Sequence, residues 1–303
     1  MPDHPQNPDC VEITCADGVR LKGHFFRAEG EARGMPVLVS PATGIKQQFY
    51  FRFIEWLAQQ GHDVLVFDYR GVGLSLNGPL KHCQATLADW GQQDQVAAMN
   101  WLLAHTGHEQ LVLIGHSAGG QMIGLLPNHH RVAKLIGISA SSGWFKGMKP
   151  LFRFKARLGL RILVPLGTMF KGYAPTSAVG LGEDLPARVA RQWGQWCAAG
   201  GYATNATENQ ASQDFHLLVR CPITIFYASD DDIATPATVA DLVRTWPAAS
   251  KKVHRLVPEE MGLKSIGHID WFRTSHRALW PMMAAELASA DHVPKSLQAN
   301  PGN

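Results

Sequence analysis

Short apolar runs and stretches of helical periodicity alternate along most of this chain. Short runs that are almost wholly apolar are typical of strands covered on both faces of a parallel sheet. Such runs occupy 35–39, 64–67, 111–114, 135–139 and 223–227, and a less regular strand is predicted at 253–257. Between them, apolar residues at helical spacing predict helices over 48–60, 87–105, 236–246 and 270–287. The alternation predicts an α/β protein with a mainly parallel central sheet and helices on both faces.

The two ends of the chain differ from this pattern. Segments 11–15 and 19–26 alternate polar and apolar positions on either side of Ala16-Asp17-Gly18, which predicts an antiparallel hairpin at the start of the sheet. Residues 288–303 are polar and contain Pro294 and Pro301, which predicts a frayed tail.

A long insertion interrupts the alternation of strand and helix. From 143 to 218 the sequence has helix-like stretches but no convincing strand, and the strand pattern resumes at 223. A length of 303 residues suits one α/β core that carries such an insertion. We therefore predict an α/β core over 1–142 and 217–303, and an inserted helical cap over 143–216.

Composition and charge exclude several classes of protein. With 46% hydrophobic and 17% charged residues the composition is that of an ordinary globular chain, and a net charge of +3 argues against a dedicated nucleic-acid binder. The N-terminus has no signal-peptide pattern, and no apolar run reaches membrane-spanning length. The five cysteines form no C-x-x-C pair, which favours reduced thiols. We expect a cytoplasmic protein with no stable membrane insertion and no nucleic-acid partner.

Neither a metal nor a cofactor is predicted. The histidine pair at 129–130 and the His-Cys pair at 82–83 lack the spacing of metal ligands. Gly71-Val72-Gly73 resembles the start of a dinucleotide-binding loop, but the third glycine is absent and 75–81 is not helix-like.

The stretch 111–121 carries the strongest chemical signal. Its apolar strand leads into Gly115-His116-Ser117-Ala118-Gly119, which matches the pattern G-x-S-x-G. In this pattern the serine lies on a strained turn between strand and helix, and the two glycines let strand and helix cross closely. We predict that Ser117 is a nucleophile; the alternative is a small residue that caps a helix.

A serine nucleophile needs an imidazole to accept its proton and a carboxylate to orient that imidazole. Both must follow strands whose carboxyl ends meet at the same edge of the sheet. Asp230, Asp231 and Asp232 follow the strand at 223–227, and His268 lies between the last strand and the last helix. The order Ser, Asp, His is the one expected for such a sheet. Alternatively, the aspartates cap the following helix, and His268 is simply one of fourteen histidines packed in a loop.

These motifs resemble those of the α/β-hydrolase fold superfamily over nearly the whole chain, and in particular a bacterial, esterase-like group of serine hydrolases. The resemblance rests on the segments PATG at 41–44, DYRGVGLS at 68–75, GHSAG at 115–119, SDDD at 229–232 and GH at 267–268. It implies Ser117 as nucleophile, His268 as general base and then acid, and an aspartate of 230–232 as the orienting carboxylate. Superfamily members usually place this acid three residues after a glycine at the strand end, a position held here by Ala228. The resemblance therefore implies Asp231, ahead of Asp232 and then Asp230.

The transition state of such a reaction carries a negative oxygen, which needs two backbone N–H donors. One donor is expected from Ala118, next to the nucleophile. The other is expected from the loop after 35–39, where many relatives have His-Gly and this chain has Ser40-Pro41. Because Pro41 has no N–H, we predict Ala42 as the second donor, with Thr43 as the alternative.

The predicted cap and the segment before it are rich in cations. Between 111 and 182 there is no Asp or Glu, whereas nine basic residues are present: Arg131, Lys134, Lys146, Lys149, Arg153, Lys155, Arg157, Arg161 and Lys171. One interpretation is a cationic lid that attracts an acidic substrate or an anionic lipid surface. The other, which the sequence alone favours, is a solvated helix face whose countercharges come from elsewhere in the fold. Apolar residues of the cap suit either the lining of an acyl pocket or core packing.

Together these features predict a serine hydrolase that cleaves a carboxylic ester, or a thioester, of a small molecule through an acyl-enzyme. Two alternatives remain. One is an acyltransferase that uses the same three residues, and the other is a non-catalytic ligand-binding protein with the same fold.

Overall fold

The computed structural model describes residues 8–32, 34–209 and 214–289, and the predicted tail from 290 onward lies outside the described residues. In these ranges the central sheet consists of β1 (Asp9–Thr14), β2 (Arg20–Phe26), β3 (Val37–Ser40), β4 (Val64–Phe67), β5 (Leu111–His116), β6 (Val132–Ile138), β9 (Ile223–Ala228) and β10 (Lys251–Leu256). A separate ribbon consists of β7 (Tyr173–Ala174) and β8 (Leu185–Pro186), which are antiparallel.

The central sheet has the strand order β1-β2-β4-β3-β5-β6-β9-β10. β1 and β2 form the predicted antiparallel hairpin, and β2 also runs antiparallel to β4. From β4 onward in this order, every pair of neighbouring strands in the central sheet is parallel. The carboxyl ends of β3, β5, β9 and β10 therefore lie at one edge of the sheet, and the predicted site residues follow these four strands.

The described helices are α1 (Phe51–Gln59), α2 (Leu87–Asp89), α3 (Val96–Thr106), α4 (Pro150–Leu158), α5 (Val164–Lys171), α6 (Ala187–Ala198), α7 (Pro236–Val243) and α8 (Trp280–Ala288). The π-helical turn Trp90–Gln95 joins α2 to α3, so the helix predicted over 87–105 is continuous. A second π-helical turn, Gly159–Leu163, joins α4 to α5 in the same way.

Alternate residues of the central strands bury their side chains on opposite faces of the sheet. In β3, Leu38 belongs to one core cluster, whereas Val37 and Val39 belong to the other. The first cluster also contains buried residues of α3 and α7, and the second contains those of α1 and α8. Helices thus cover both faces, as predicted, which is why the central strands are apolar almost without interruption.

Two predicted helices are less regular than expected. After Ser117 the chain forms two short 3-10 turns, Ser117–Gly120 and Ile123–Leu125, instead of a helix. Glycines at 119, 120 and 124 explain this, because glycine strongly disfavours helix interiors. The segment predicted as a helix over 270–287 begins as the 3-10 turns Asp270–Phe272 and Thr274–Leu279, and only α8 is a regular helix.

The segment between β6 and β9 contains α4, α5 and α6, together with the ribbon of β7 and β8. The expectation of no strand here is therefore wrong at the ribbon, whose strands of two residues are too short for an alternating pattern to show. The segment contacts loops of the sheet. The Glu183 N–H donates to the Gly44 carbonyl at 2.8 Å, and Lys149 pairs with Asp232 at 3.1 Å. The division into a core and a cap over 143–216 stays a prediction.

Three further structural findings bear on function. All five cysteines lie in the described ranges and all are free. Among the described helices, none has both the length and the apolar character needed to span a membrane. The same part of the chain contains no group of three His, Cys, Asp or Glu side chains arranged to hold a metal ion.

Candidate active site

Ser117 is the first residue after β5, and its backbone is strained. Its φ of 48° lies in the left-handed region, which residues other than glycine rarely adopt. A Cβ atom on Gly119 would lie less than 3.0 Å from the Ser40 carbonyl oxygen, and one on Gly115 less than 3.0 Å from the Gly120 backbone. The two glycines of the motif therefore allow the close approach of strand, turn and neighbouring loop that the sequence predicts.

The structure brings Ser117, His268 and Asp231 together. The Ser117 hydroxyl oxygen is 2.9 Å from His268 Nε2, and His268 Nδ1 is 2.8 Å from Asp231 Oδ2. Asp231 Oδ1 accepts hydrogen bonds from the N–H groups of Ile233 at 2.8 Å and Ala234 at 2.9 Å. With Nδ1–H donating to the carboxylate, Nε2 is free to accept the proton of the serine hydroxyl.

The electrostatic setting keeps Asp231 ionised. Burial raises the pKa of its carboxyl, but the charge and hydrogen bond of His268 and the N–H groups of Ala234 and Ile233 outweigh that effect. As a result the pKa lies below its ordinary value. The carboxylate is therefore placed to orient the His268 ring and to stabilise a positive charge on it.

The two neighbouring aspartates have other partners. Asp230 accepts hydrogen bonds from the N–H groups of Ile266 at 2.9 Å and Gly267 at 3.0 Å, directly before His268. Asp232 is exposed and pairs with Lys149. Asp230 thus holds the backbone of the loop that carries the imidazole, and Asp232 contacts the segment before α4.

The alternative that the aspartates cap the next helix does not hold. The N-cap of α7 is Thr235, which forms a capping box with Thr238. Of the three aspartates, Asp231 is the one whose side chain contacts His268.

A second chain of hydrogen bonds runs from the nucleophile turn to the loop after β3. His116 Nε2 is 2.9 Å from the backbone carbonyl oxygen of His268, and His116 Nδ1 is 2.8 Å from the Tyr50 hydroxyl. A carbonyl can only accept, so Nε2 carries the proton and Nδ1 accepts from the tyrosine hydroxyl. The Tyr50 oxygen in turn accepts the Ala42 N–H at 2.9 Å. Burial, reinforced by the neighbouring His268, lowers the pKa of His116 to about 3, which keeps the ring neutral.

These hydrogen bonds contradict the predicted role of Ala42 as an oxyanion donor. Its N–H donates to the fully buried Tyr50 hydroxyl, so it is directed into the protein and is not available to a substrate oxygen. In the described part of the chain, the loop and turn contacts give no partner to the N–H of Thr43 or of Ala118. The N–H groups of Ala118, the predicted donor, and of Thr43, the alternative, therefore remain candidates for oxyanion donors.

No sequence pattern indicates the roles of Tyr50 and His116, and Asp230 was predicted only as the third choice for the orienting acid. His116 lies inside the G-x-S-x-G motif, but its partners are 66 and 152 residues away in sequence. Asp230 is next to the predicted acid, yet the N–H groups that it binds are 36 and 37 residues further along the chain. These contacts depend on the tertiary fold, and no local sequence pattern predicts them.

A cleft of about 340 Å³ lies beside Asp231. Lys149 and Arg255 are among its lining residues, whereas Ser117 and His268 are not. This cleft therefore borders the carboxylate rather than the serine hydroxyl, and we do not assign it to a substrate.

Sequence comparison finds similarity between part of the chain and a known family. Residues 41–157 match the family model described as alpha/beta hydrolase fold. The uncharacterized protein YfhR of Escherichia coli strain K12 is 34% identical over 125 residues, and a protein of the same name from strain O157:H7 matches equally. The match covers 39% of this chain and 41% of the relative, so the chain aligns with less than half of the length of these curated relatives.

Solved structures match over nearly the whole chain. A soluble variant of monoglyceride lipase from Saccharomyces cerevisiae has a TM-score of 0.65 at 17% identity and covers 97% of this chain and 99% of its own. An esterase from Pyrococcus furiosus has a TM-score of 0.60 at 17% identity, with coverage of 93% and 90%. A candidate epoxide hydrolase from Pseudomonas aeruginosa has a TM-score of 0.58 at 16% identity, with coverage of 99% and 100%. At these identities the likeness establishes architecture and not activity. The eight-stranded, mostly parallel sheet, the family match and these neighbours together show that the chain has the α/β-hydrolase fold.

Proposed function

We propose that this protein is a serine hydrolase that cleaves a carboxylic ester of a small molecule through an acyl-enzyme. The observation that carries the proposal is the unbroken contact from the Ser117 hydroxyl through both ring nitrogens of His268 to Asp231, at 2.9 and 2.8 Å. The fold alone does not select a reaction. The lipase and the esterase among the structural neighbours support an ester as the substrate class.

In the acylation step His268 Nε2 takes the proton of Ser117 as Oγ bonds to the carbonyl carbon of the ester. Asp231 stabilises the imidazolium. When the tetrahedral intermediate collapses, the bond to the alcohol oxygen breaks and that oxygen takes the proton from Nε2. The alcohol leaves, and the acyl group remains bonded to Ser117 Oγ.

Deacylation repeats these events with water in place of the serine. His268 Nε2 takes a proton from the water as its oxygen bonds to the acyl carbon. Collapse of the second intermediate returns the proton to Ser117 Oγ and releases the carboxylic acid. If an alcohol or amine replaces water in this step, the same residues perform acyl transfer.

We assign the oxyanion to the N–H groups of Ala118 and Thr43. Ala118 directly follows the nucleophile, and Thr43 lies in the loop whose Ser40 carbonyl contacts Gly119. Replacing the Thr43 amide by an ester, through incorporation of the α-hydroxy analogue, removes the N–H without changing the side chain. We expect kcat to fall about 10²-fold or more. The same replacement at Ala42 is the matched control and should chiefly lower stability, because that N–H bonds to Tyr50.

The first test compares native protein with Ser117→Ala on aryl esters from acetyl to palmitoyl. We expect the native protein to turn over part of the series and the variant to lose at least about 10⁴-fold in kcat. A fluorophosphonate probe should label Ser117 in the native protein. Activity that survives in Ser117→Ala would contradict the proposal, and a native protein that neither hydrolyses nor takes up the probe would favour a binding role.

Ser139 offers a matched control serine. It follows β6, the strand beside β5, and it also has a strained backbone, with a φ of 51°. It is fully buried, and its hydroxyl has no hydrogen-bond partner, so it lacks the imidazole that Ser117 has. Ser139→Ala should keep both probe labelling and turnover. Adding an alcohol or amine to the assay and analysing the products separates hydrolysis from acyl transfer.

The proposal places this activity in the cytoplasm. Five free cysteines fit a reducing compartment, where thiols persist. Fractionation of cells that express the full chain tests the location.

A further inference from the structure

The helical segment 150–171 has two apolar faces. It consists of α4, the π-helical turn Gly159–Leu163 and α5. Ala156, Leu160 and Val164 recur every four residues and are buried, so they form the face that packs on the protein. An amphipathic surface helix normally carries polar residues on the opposite face.

The opposite face of this segment is apolar and exposed instead. Its large apolar side chains recur mostly at intervals of three or four residues, which places them along one stripe of the helix. The residues of this outer stripe are Leu151, Phe154, Leu158, Ile162, Leu163, Leu166, Met169 and Phe170. Phe170 is 81% exposed, Leu151 70% and Phe154 67%. Scattered exposed hydrophobic residues are normal, but eight on one helical segment form a patch of the kind that marks an interaction site.

All the charged residues of the segment itself are cationic. The segment contains Arg153, Lys155, Arg157, Arg161 and Lys171, and the sequence from 111 to 182 has no carboxylate. Within the described ranges no carboxylate lies within ion-pair distance of Arg153, Lys155 or Arg161. The interpretation of these cations as a solvated face neutralised from elsewhere in the fold therefore finds no support at these three positions.

The sign of the charge selects the kind of partner. A second copy of this chain that docked through the same stripe would bring two sets of cations together, which like-charge repulsion opposes. An anionic lipid surface offers both an apolar layer for Phe and Leu side chains and negative headgroups for the Lys and Arg side chains beside them. We propose that residues 150–171 dock this protein onto anionic membranes, with the outer stripe inserted at the level of the headgroups.

The residue that precedes the helical segment directly contacts the candidate active site. Lys149 directly precedes α4; its ammonium donates to the Asp230 carbonyl at 3.1 Å and pairs with the Asp232 carboxylate. These two aspartates flank Asp231, which contacts His268. The docking segment therefore begins at the loop that supplies the orienting carboxylate.

The test is flotation of the full chain with vesicles of phosphatidylcholine alone and of phosphatidylcholine with phosphatidylglycerol. We expect binding to the anionic vesicles, little binding to the neutral ones, and weakening as salt is raised. The double variant Phe154→Ser/Phe170→Ser should weaken binding at least about tenfold, since each phenylalanine loses its apolar burial. Lys155→Glu/Arg161→Glu should remove the preference for anionic vesicles.

Leu217→Ser is the matched control. Leu217 is 71% exposed but lies outside the stripe, on the 3-10 turn His216–Leu218, which packs beside the turn Ile123–Leu125. This variant should bind like the native protein. Ser117→Ala should also bind normally, so the docking proposal and the catalytic proposal can fail independently.

Three outcomes would overturn the docking proposal. One is native protein that does not float with anionic vesicles. Another is equal binding by the stripe variant and the native protein. The third is a concentration-dependent dimer in sedimentation velocity that the stripe variant abolishes while vesicles bind neither protein, which would assign the stripe to a second copy of this chain.

Discussion

At the scale of single residues, the side chains of three consecutive aspartates bind three different partners. Asp231 holds the His268 ring, Asp230 holds the backbone before His268, and Asp232 holds Lys149. Removing the charge of each in turn therefore separates orientation of the imidazole from support of its loop and from a surface ion pair.

We expect Asp231→Asn to lower kcat on a turned-over aryl ester by about 10³- to 10⁴-fold, because an amide cannot hold the productive tautomer or stabilise the imidazolium. Asp232→Asn should stay within about threefold of native, since an exposed ion pair contributes little. Asp230→Asn should fall in between, because the loop before His268 loses part of its support. A larger loss for Asp232→Asn or Asp230→Asn than for Asp231→Asn would reassign the acid.

His116 makes a prediction about stability and pH. In the unfolded chain a histidine has its ordinary pKa of 6.5, whereas burial lowers the pKa of His116 to about 3 in the folded protein. Between pH 6.5 and pH 3 the unfolded chain therefore binds a proton that the folded protein does not. Stability falls as the pH falls through this window, by about 1.4 kcal/mol per pH unit from this group.

Urea unfolding at pH 6.5 and pH 5.0 measures this effect. Between the two pH values, the free energy of unfolding of the native protein should fall by about 1.6 kcal/mol more than that of His116→Gln. His82→Gln, a change at an exposed histidine, should keep the loss seen in the native protein. Equal losses in the native protein and His116→Gln would mean that His116 is not held neutral by the fold.

The site residues differ in how far the sequence reveals them. Ser117 is visible because its turn needs a local pattern of glycines, and His268 and Asp231 are visible because they follow predicted strands. Ala42 was misassigned because the partner of its N–H is the Tyr50 hydroxyl, which reaches it from the next helical turn. Which acceptor a backbone N–H bonds to depends on the tertiary fold. The proline at 41 excluded only that residue as an oxyanion donor.

At the scale of elements, the turn after β5 is fixed by close backbone contacts. Gly119 packs closely against the Ser40 carbonyl, and Gly115 packs closely against the backbone of Gly120. We expect Gly119→Ala to destabilise the fold by about 3 kcal/mol or more, because the added methyl group would force backbone atoms of two loops apart.

Gly159→Ala is the matched control for this change. Gly159 has helical angles, φ −58° and ψ −63°, and an added Cβ would make only an ordinary contact of 3.7 Å with Leu181. Its replacement should leave stability unchanged or raise it by up to about 1 kcal/mol. Thermal and urea unfolding of the two variants measure these changes in stability. Equal changes would mean that the turn after β5 can accommodate a side chain at position 119.

Most elements were predictable because their signals are local. The five apolar runs correspond to β3, β4, β5, β6 and β9, the less regular predicted strand corresponds to β10, and the hairpin corresponds to β1 and β2. The helix expected after Ser117 from the G-x-S-x-G motif is absent because three glycines in this stretch disfavour it. The ribbon of β7 and β8 was missed because each of its strands has only two residues.

At the scale of the whole molecule, the strand order was beyond the sequence. β4 lies between β2 and β3, and β9 lies beside β6 although the long insertion separates them along the chain. The alternation of strand and helix predicts parallel strands, but it does not state which strands become neighbours. Which strands pair depends on contacts between residues far apart in the chain, and no local pattern contains that information.

Hydrogen exchange tests whether the chain divides as predicted, into a core and a cap over 143–216. β5 and β6 are buried along their whole length at the centre of the sheet, so their amides should exchange only on global unfolding. Residues 150–171 pack through one face and expose the other, so they can open without disrupting the sheet. We expect their amides to exchange at least about 100-fold faster than those of β5, with the change in rate falling near 143 and 216. Exchange of 150–171 as slow as that of β5 would show that the segment unfolds with the sheet as one unit, and the division into two parts would then be wrong.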